Sequence, residues 1–291
     1  TTESAMIYIN YALILISGFN DIKQAMRFGK LAMSLADNQN SMVLKARIFF
    51  TYGIFLNHWE EDYEGSIQYM RVMQQYGEQV GLNYQVTATS CFLCITQLAN
   101  GTLLKELDEE LQYQQSNYAA IQHVLSSDYL AEFQSWVSAL RNKEIIPNWD
   151  STITLKDEEM VVAMHSILRL QMSYLFQNKQ QAIHILETIR ESINTMMSSL
   201  PTAPTYYFYR ALWQFDFLKQ HKKYRENQRQ YLIEIKESIR KFKKWSKEAP
   251  HIYEHLYTLL LAENCRMKNL DGEALLYYDR AIQLAKVNKF P

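Results

Sequence analysis

Apolar residues recur along this chain at steps of three and four, the spacing of a helix with one buried face. Val161, Met164, Leu168, Met172 and Leu175 form one such stripe. Asp157, Glu158 and Glu159 precede it, where acidic side chains favour the positive end of a helix. Leu232, Ile235, Ile239 and Phe242 repeat the spacing with Lys and Arg between them. The pattern predicts about thirteen helices, over residues 3–18, 21–37, 41–58, 63–80, 83–99, 103–122, 127–141, 156–178, 180–197, 204–220, 226–247, 251–268 and 271–288. Ser151 to Leu155 is the one short stretch that could form a strand.

Turn residues fall between these segments: Gly18-Phe19-Asn20, Asp37-Asn38, Gly81 and Asn100-Gly101. Ser198 to Pro204, with two prolines, reads as a loop. Arg141 to Leu155 is the longest irregular stretch and the natural place for a hinge. The same hairpin pattern runs on both sides of it, so the expectation is one helical array over 1–291 with a possible hinge at 141–155.

The last predicted hairpin is close to a tetratricopeptide unit. Leu261, Ala262 and Cys265 lie on its first helix, Ala274, Tyr278 and Ala281 on its second. Small residues let two helices approach, and a large ring fills the neighbouring hole. Ala182, Leu186 and Ile189 echo the second helix after Leu170 and Ser173, as do Ala25, Gly29 and Ala32 near the start. The other hairpins match only in length and apolar face. The expected fold is therefore all-α, a TPR-like α-solenoid of stacked antiparallel hairpins. An irregular helical bundle is the alternative.

Composition agrees. Eight Gly and five Pro in 291 residues are few for a fold with many tight turns, and 48% apolar residues suffice for a large core. Net charge is −1, which gives no bulk attraction to nucleic acid or anionic membrane. Three Cys argue against a disulfide framework and fit a reducing cytoplasm. The apolar run Ala12 to Ile16 is too short to span a membrane and lacks the basic flank of a signal peptide. The chain opens at Thr1 and stops at Pro291 directly after a helical pattern, as a segment of a longer protein would.

Candidate chemistry is sparse. His251-Ile252-Tyr253-Glu254-His255 spells H-x-x-E-H, the inverted zinc-protease motif, in which two His one turn apart hold the metal and Glu acts as base. A third protein ligand from a downstream helix is required, and Glu263 and Glu273 lie too close in this hairpin pattern to make a persuasive one. The plain reading is a helix that begins after Pro250 with two His in its first turns. Cys91 and Cys94 form a C-x-x-C without a second pair and without a preceding strand, so they read as small buried residues. No phosphate-binding glycine loop, nucleophile elbow or kinase signature is present. Glu60-Glu61-Asp62 and Asp108-Glu109-Glu110 read as helix-start or solvated charges. Arg225 to Lys247 is basic with interleaved aromatics, either a solvated helix face or an anion-binding one. Tyr206, Tyr207, Phe208, Tyr209, Trp213, Phe215 and Phe217 crowd one helix as core, or as a peptide groove.

Several segments resemble the long helical region of large multi-domain bacterial signalling proteins. Those proteins join a serine/threonine-kinase-like domain, a STAND-class ATPase, this region, a GAF domain and often a sensor histidine kinase. The residues that carry the resemblance are Tyr52 to Trp59, Asn100 to Leu104, Tyr207 to Leu212, Trp245 through Pro250 into His255, Ala262 and Glu263, and Glu273-Ala274 with Tyr278 to Ile282. They occur in the family's order over most of the chain. The resemblance implies a non-catalytic relay between an ATPase and its output domains. Its partners would be protein or peptide, foremost neighbouring domains of the same polypeptide. It carries over no catalytic residue; net charge, the short apolar runs and the sparse motifs lead to the expectation of no cofactor, no metal, no nucleic acid and no membrane insertion. Two rivals remain: a self-standing peptide- or protein-binding module, and a zinc hydrolase using His251, Glu254 and His255. The first would place Asn, Lys and Arg regularly on inner helices, but Asn10, Lys45, Arg47 and Asn83 are sparse and not periodic.

Overall fold

The structure, a computed structural model, describes residues 2–118, 124–142, 159–189, 200–219 and 227–290. Among these residues regular structure is helical throughout, with no strand. The helices are α1 (Thr2–Phe19), α2 (Ile22–Asp37), α3 (Met42–Thr51), α4 (Tyr63–Val80), α5 (Asn83–Ala99), α6 (Leu104–Tyr118), α7 (Val124–Asn142), α8 (Glu159–Leu175), α9 (Lys179–Thr188), α10 (Ala203–Lys219), α11 (Gln228–Glu248), α12 (Pro250–Met267) and α13 (Asp271–Val287). The strand candidate at 151–155 lies outside the described residues, as does the hinge stretch beyond Asn142.

Helix ends follow local chemistry. Asp21, Ser41, Asp62 and Asn178 each accept a backbone N–H three residues on, closing the first turns of α2, α3, α4 and α9. Gly81 ends α4 at φ +74°, and the Leu82 N–H returns to the Gly77 carbonyl at 2.8 Å. Pro250 opens α12 in its first turn, where a missing N–H costs nothing.

One expected helix is broken. Residues 41–58 do not form a continuous α-helix: α3 stops at Thr51, a π-helical turn covers Tyr52–Leu56, and a 3-10 turn covers Asn57–Trp59. The cause is packing against α4. A Cβ on Gly53 would lie 2.8 Å from the Tyr69 Cβ, so the Gly53 backbone already lies against that side chain of α4. The wider turn swings Asn57, His58 and Trp59 inward, each at most 2% exposed. Asn57 Nδ2 then donates to the Asp62 carbonyl at 3.2 Å and to Ser66 Oγ at 3.1 Å.

The chain divides into two compact units. The first holds α1–α7 and the opening turns of α8; the second holds the rest of α8 and α9–α13. In the first, α1 packs on α2 and α3, α3 on α4 and α5, and α5 on α6 and α7. Each odd helix thus meets its own hairpin partner and the next odd helix. In the second, α10 packs on α11 and α12, and α12 on α13. The first core is lined by small residues at α1–α2, where Ala5, Ala12, Ala25, Ala32 and Ala36 are fully buried. The second is aromatic, with Trp213, Tyr206, Phe215, Phe217, Phe242 and Tyr253 among its largest buried side chains.

Candidate functional site

The H-x-x-E-H residues lie on the first turns of α12. His255 stacks on Phe290 with ring centroids 4.3 Å apart, and burial pushes its pKa down to about 4. Glu254 faces Arg280 of α13 at 3.6 Å. Glu263 is taken up by Tyr278 Oη, which donates to it at 2.7 Å, and by Arg266 at 2.5 Å. Glu273 sits 3.9 Å from the Cys265 thiol. Among the described residues no three His, Cys, Asp or Glu side chains converge in a way that could hold a metal ion.

The three cysteines are buried and form no disulfide. Burial, aided by Glu110 and Cys91, pushes the Cys94 thiol well above its usual range, which disfavours the thiolate that nucleophiles and metal ligands need. Of the carboxylate runs, Glu60 pairs with Lys30 at 2.7 Å, Asp62 caps α4, and Asp108 pairs with Arg141. Glu110 is different. Burial raises its pKa, but Arg71 at 2.6 Å and the amides of Gln114 and Gln97 outweigh that and hold it below the usual range. Gln74 Nε2 extends the network to Ser90 and Gln114, so one chain of polar bonds ties α4, α5 and α6. His165 and Glu132 form a second buried pair at 2.6 Å, with Tyr129 edge-on to the imidazole. Most of these groups bond to one another inside the packing, while Asp108 Oδ1 and Gln97 Oε1 are buried with no hydrogen-bond partner among the described residues.

The aromatic stretch of α10 is core. Tyr206, Tyr207, Phe208, Trp213, Phe215 and Phe217 are all buried, which removes the peptide-groove reading for them. Among them sits Arg210, 4% exposed. Its Nη2 donates to Glu237 at 2.9 Å, Ser238 Oγ at 3.1 Å and the Glu234 carbonyl at 3.1 Å. Its guanidinium lies 4.8 Å from the Tyr207 ring centre, and Lys241 Nζ lies 4.5 Å from the same centre.

Sequence reasoning missed two surfaces. Between Glu3 and Asp21 the chain has no charged residue. Helix α1 buries Ala5, Ile9, Ala12 and Ile16, yet Ile7, Tyr11 and Ile14 form a second stripe on its exposed side, with Ile7 63% exposed. On α13, Ala274, Ala281 and Leu284 face inward while Leu275, Leu276, Ile282 and Val287 face solvent, Val287 at 77%. The uncharged run was the available signal for α1. For α13 the two-sided apolar pattern was readable, but which side would be covered was not.

No family model matches the chain, and no curated protein matches it. The candidate functional site therefore rests on its surfaces: the exposed apolar faces of α1 and α13, and the charged outer face of α11.

Proposed function

We propose that this chain is a non-catalytic, TPR-like helical segment of a multi-domain signalling ATPase or kinase, which relays the binding of a protein partner to neighbouring domains. The observation that carries this reading is the pair of exposed apolar faces on α1 and α13. Repeat arrays join through just such faces: each hairpin leaves an apolar side for the next, and arrays ending in water replace it with polar residues. The packing of each odd helix on the next odd helix in the first unit supports a stacked-hairpin arrangement over an irregular bundle. The engagement of Glu110, Glu263 and His165 in internal pairs supports a structural over a catalytic role for these three. Among the described residues no helix is long and apolar enough to cross a membrane, and a cytoplasmic setting agrees with three cysteines that form no disulfide.

The test has two parts. Peptide mass mapping and immunoblot of the native polypeptide should find a product several times larger than 34.4 kDa with a phosphate-binding loop upstream. ATP turnover of that product should then change when Ile7→Glu and Ile14→Glu, or Leu276→Glu and Ile282→Glu, are introduced. A native product near 34.4 kDa would overturn the relay and make a self-standing binding module the better description.

A further inference from the structure

Helix α11 separates its charges more sharply than any simple solvated helix requires. Arg229, Lys236, Arg240, Lys243 and Lys247 are all exposed and fall at steps of seven, four, three and four, so they share one face. The row runs about 27 Å at 1.5 Å per residue. Ile233, itself 59% exposed, sits within the row between Arg229 and Lys236. Tyr231, Ile235, Ser238, Phe242 and Trp245 occupy the opposite, buried face.

Glu234 and Glu237, the two acids in the middle of the helix, are committed elsewhere, and the exposed Glu248 lies at its end. Glu237 reaches Arg210 at 2.9 Å and Lys241 at 3.9 Å. Glu234 accepts from Gln214 and from Gln230. Among the described residues, none of the five cations in the row makes an ion pair. With its two central carboxylates engaged and its row of cations turned outward, the helix presents an excess of positive charge on a chain of net charge −1.

We infer that this face is the docking site for an acidic amphipathic helix of a protein partner, with Asp or Glu at three- and four-residue steps opposite the cations and an apolar residue on Ile233. Charge complementarity selects an anion, and geometry selects among anions. A straight row at helical spacing matches the carboxylates of a second helix lying alongside. Stacking on single-stranded bases needs exposed rings, and the rings of α11 are buried; duplex phosphates are the rival anion that the DNA probe below tests. Insertion into a lipid surface needs a broad apolar face, and this one offers Ile233 alone. The inference deepens the reading of the chain as an interaction segment and holds whether the native protein is large or small.

The experiment measures binding of the whole chain to two labelled helical peptides of about 20 residues and identical composition. One carries its Glu on a single face; in the other the Glu are scattered around the helix. Duplex DNA of similar length and vesicles containing phosphatidylserine are run alongside. The single-face peptide should bind several-fold more tightly than its isomer and more tightly than either other probe. Lys236→Glu with Arg240→Glu and Lys243→Glu should weaken it by about tenfold or more at low salt, an effect that added salt shrinks. Lys23→Glu with Lys268→Glu and Lys289→Glu makes the same change of net charge elsewhere and should leave binding within about twofold. Unchanged far-UV circular dichroism confirms that both triple variants fold. Equal binding of the two peptides, tighter binding of DNA or vesicles, or equal loss in both triple variants would overturn the inference. These outcomes are independent of native product length, so the two readings fail separately.

Discussion

Both units pack aromatic rings, but only the first adds glycines at close helix contacts. Seven of the eight glycines lie in the first 101 residues, and in the first unit three of them mark points where helices touch backbone to side chain. A Cβ on Gly77 would come 2.6 Å from Val86 Cγ2, one on Gly53 2.8 Å from Tyr69 Cβ, and one on Gly29 3.0 Å from Leu56 Cδ1. In the second unit Gly272 has open space around it, and the helices are held apart by rings. Phe242 contacts Phe208, Trp245 and Tyr253 with centroids 5.1–6.3 Å apart. Close approach depends on the absence of atoms and ring packing on their presence, so the glycine contacts of the first unit and the ring cluster of the second should fail under opposite substitutions.

The largest effect tests the ring-packed side. Phe242→Ala should cost about 3–5 kcal/mol, because the loss of a fully buried ring leaves a cavity among rigid neighbours. Chemical unfolding followed by tryptophan fluorescence reads this, and a loss under about 1 kcal/mol would mean the cluster repacks freely. Arg210→Ala comes next, at about 2–4 kcal/mol, since it empties space beside Tyr206 and Tyr207 and strands Glu237 and Ser238. Arg210→Lys should recover only part of this, because an ammonium cannot reach all three acceptors and stack at once.

Acid sharpens the comparison from the other side. His58, buried beside Trp59 and Tyr63 at the broken helix, has its pKa pushed down to about 3 by burial, against a smaller opposing pull from the Ile54 backbone. The folded state therefore binds fewer protons than the unfolded chain below the ordinary histidine pKa. Its contribution to stability is fully present above about pH 6.5 and is lost as pH falls toward 3, at a slope of up to about 1.4 kcal/mol per pH unit. His58→Phe should flatten the acid limb of a stability–pH curve, and an unchanged limb would show that the imidazole finds a partner in the fold.

The glycine substitutions complete the series. Gly53→Ala should destabilise by about 1–2 kcal/mol, the helix-propensity gain of alanine being smaller than the cost of pushing α4 away. Gly272→Ala should instead stabilise by about 0.5 kcal/mol, because no atom lies within 4 Å of the new methyl group. If both glycines respond with the same sign, the contrast between the units is wrong.

Sequence pattern and structure agree on most helices to within a few residues, because apolar spacing and caps such as Asp21, Ser41 and Asp62 act locally. The break after Thr51 was not legible. Tyr52 to Trp59 has the spacing and composition of ordinary helix, and only the approach of Tyr69 at Gly53 converts it to a π turn. The functional surfaces were half legible. The basic character of α11 and the uncharged run of α1 stand in the chain itself. That Glu234 and Glu237 turn toward α10 while the cations turn outward depends on where Arg210 and Gln214 lie.

What the sequence by itself determined is the helical class and most helix limits, since these depend on neighbours within a turn or two. Only the tertiary structure decided which of two apolar faces on α1 and α13 is covered, and which charges on α11 are already paired. A helix with two apolar sides has the same periodic pattern whichever side meets its neighbour. A side chain's partners are chosen by the helix packed against it, tens of residues away.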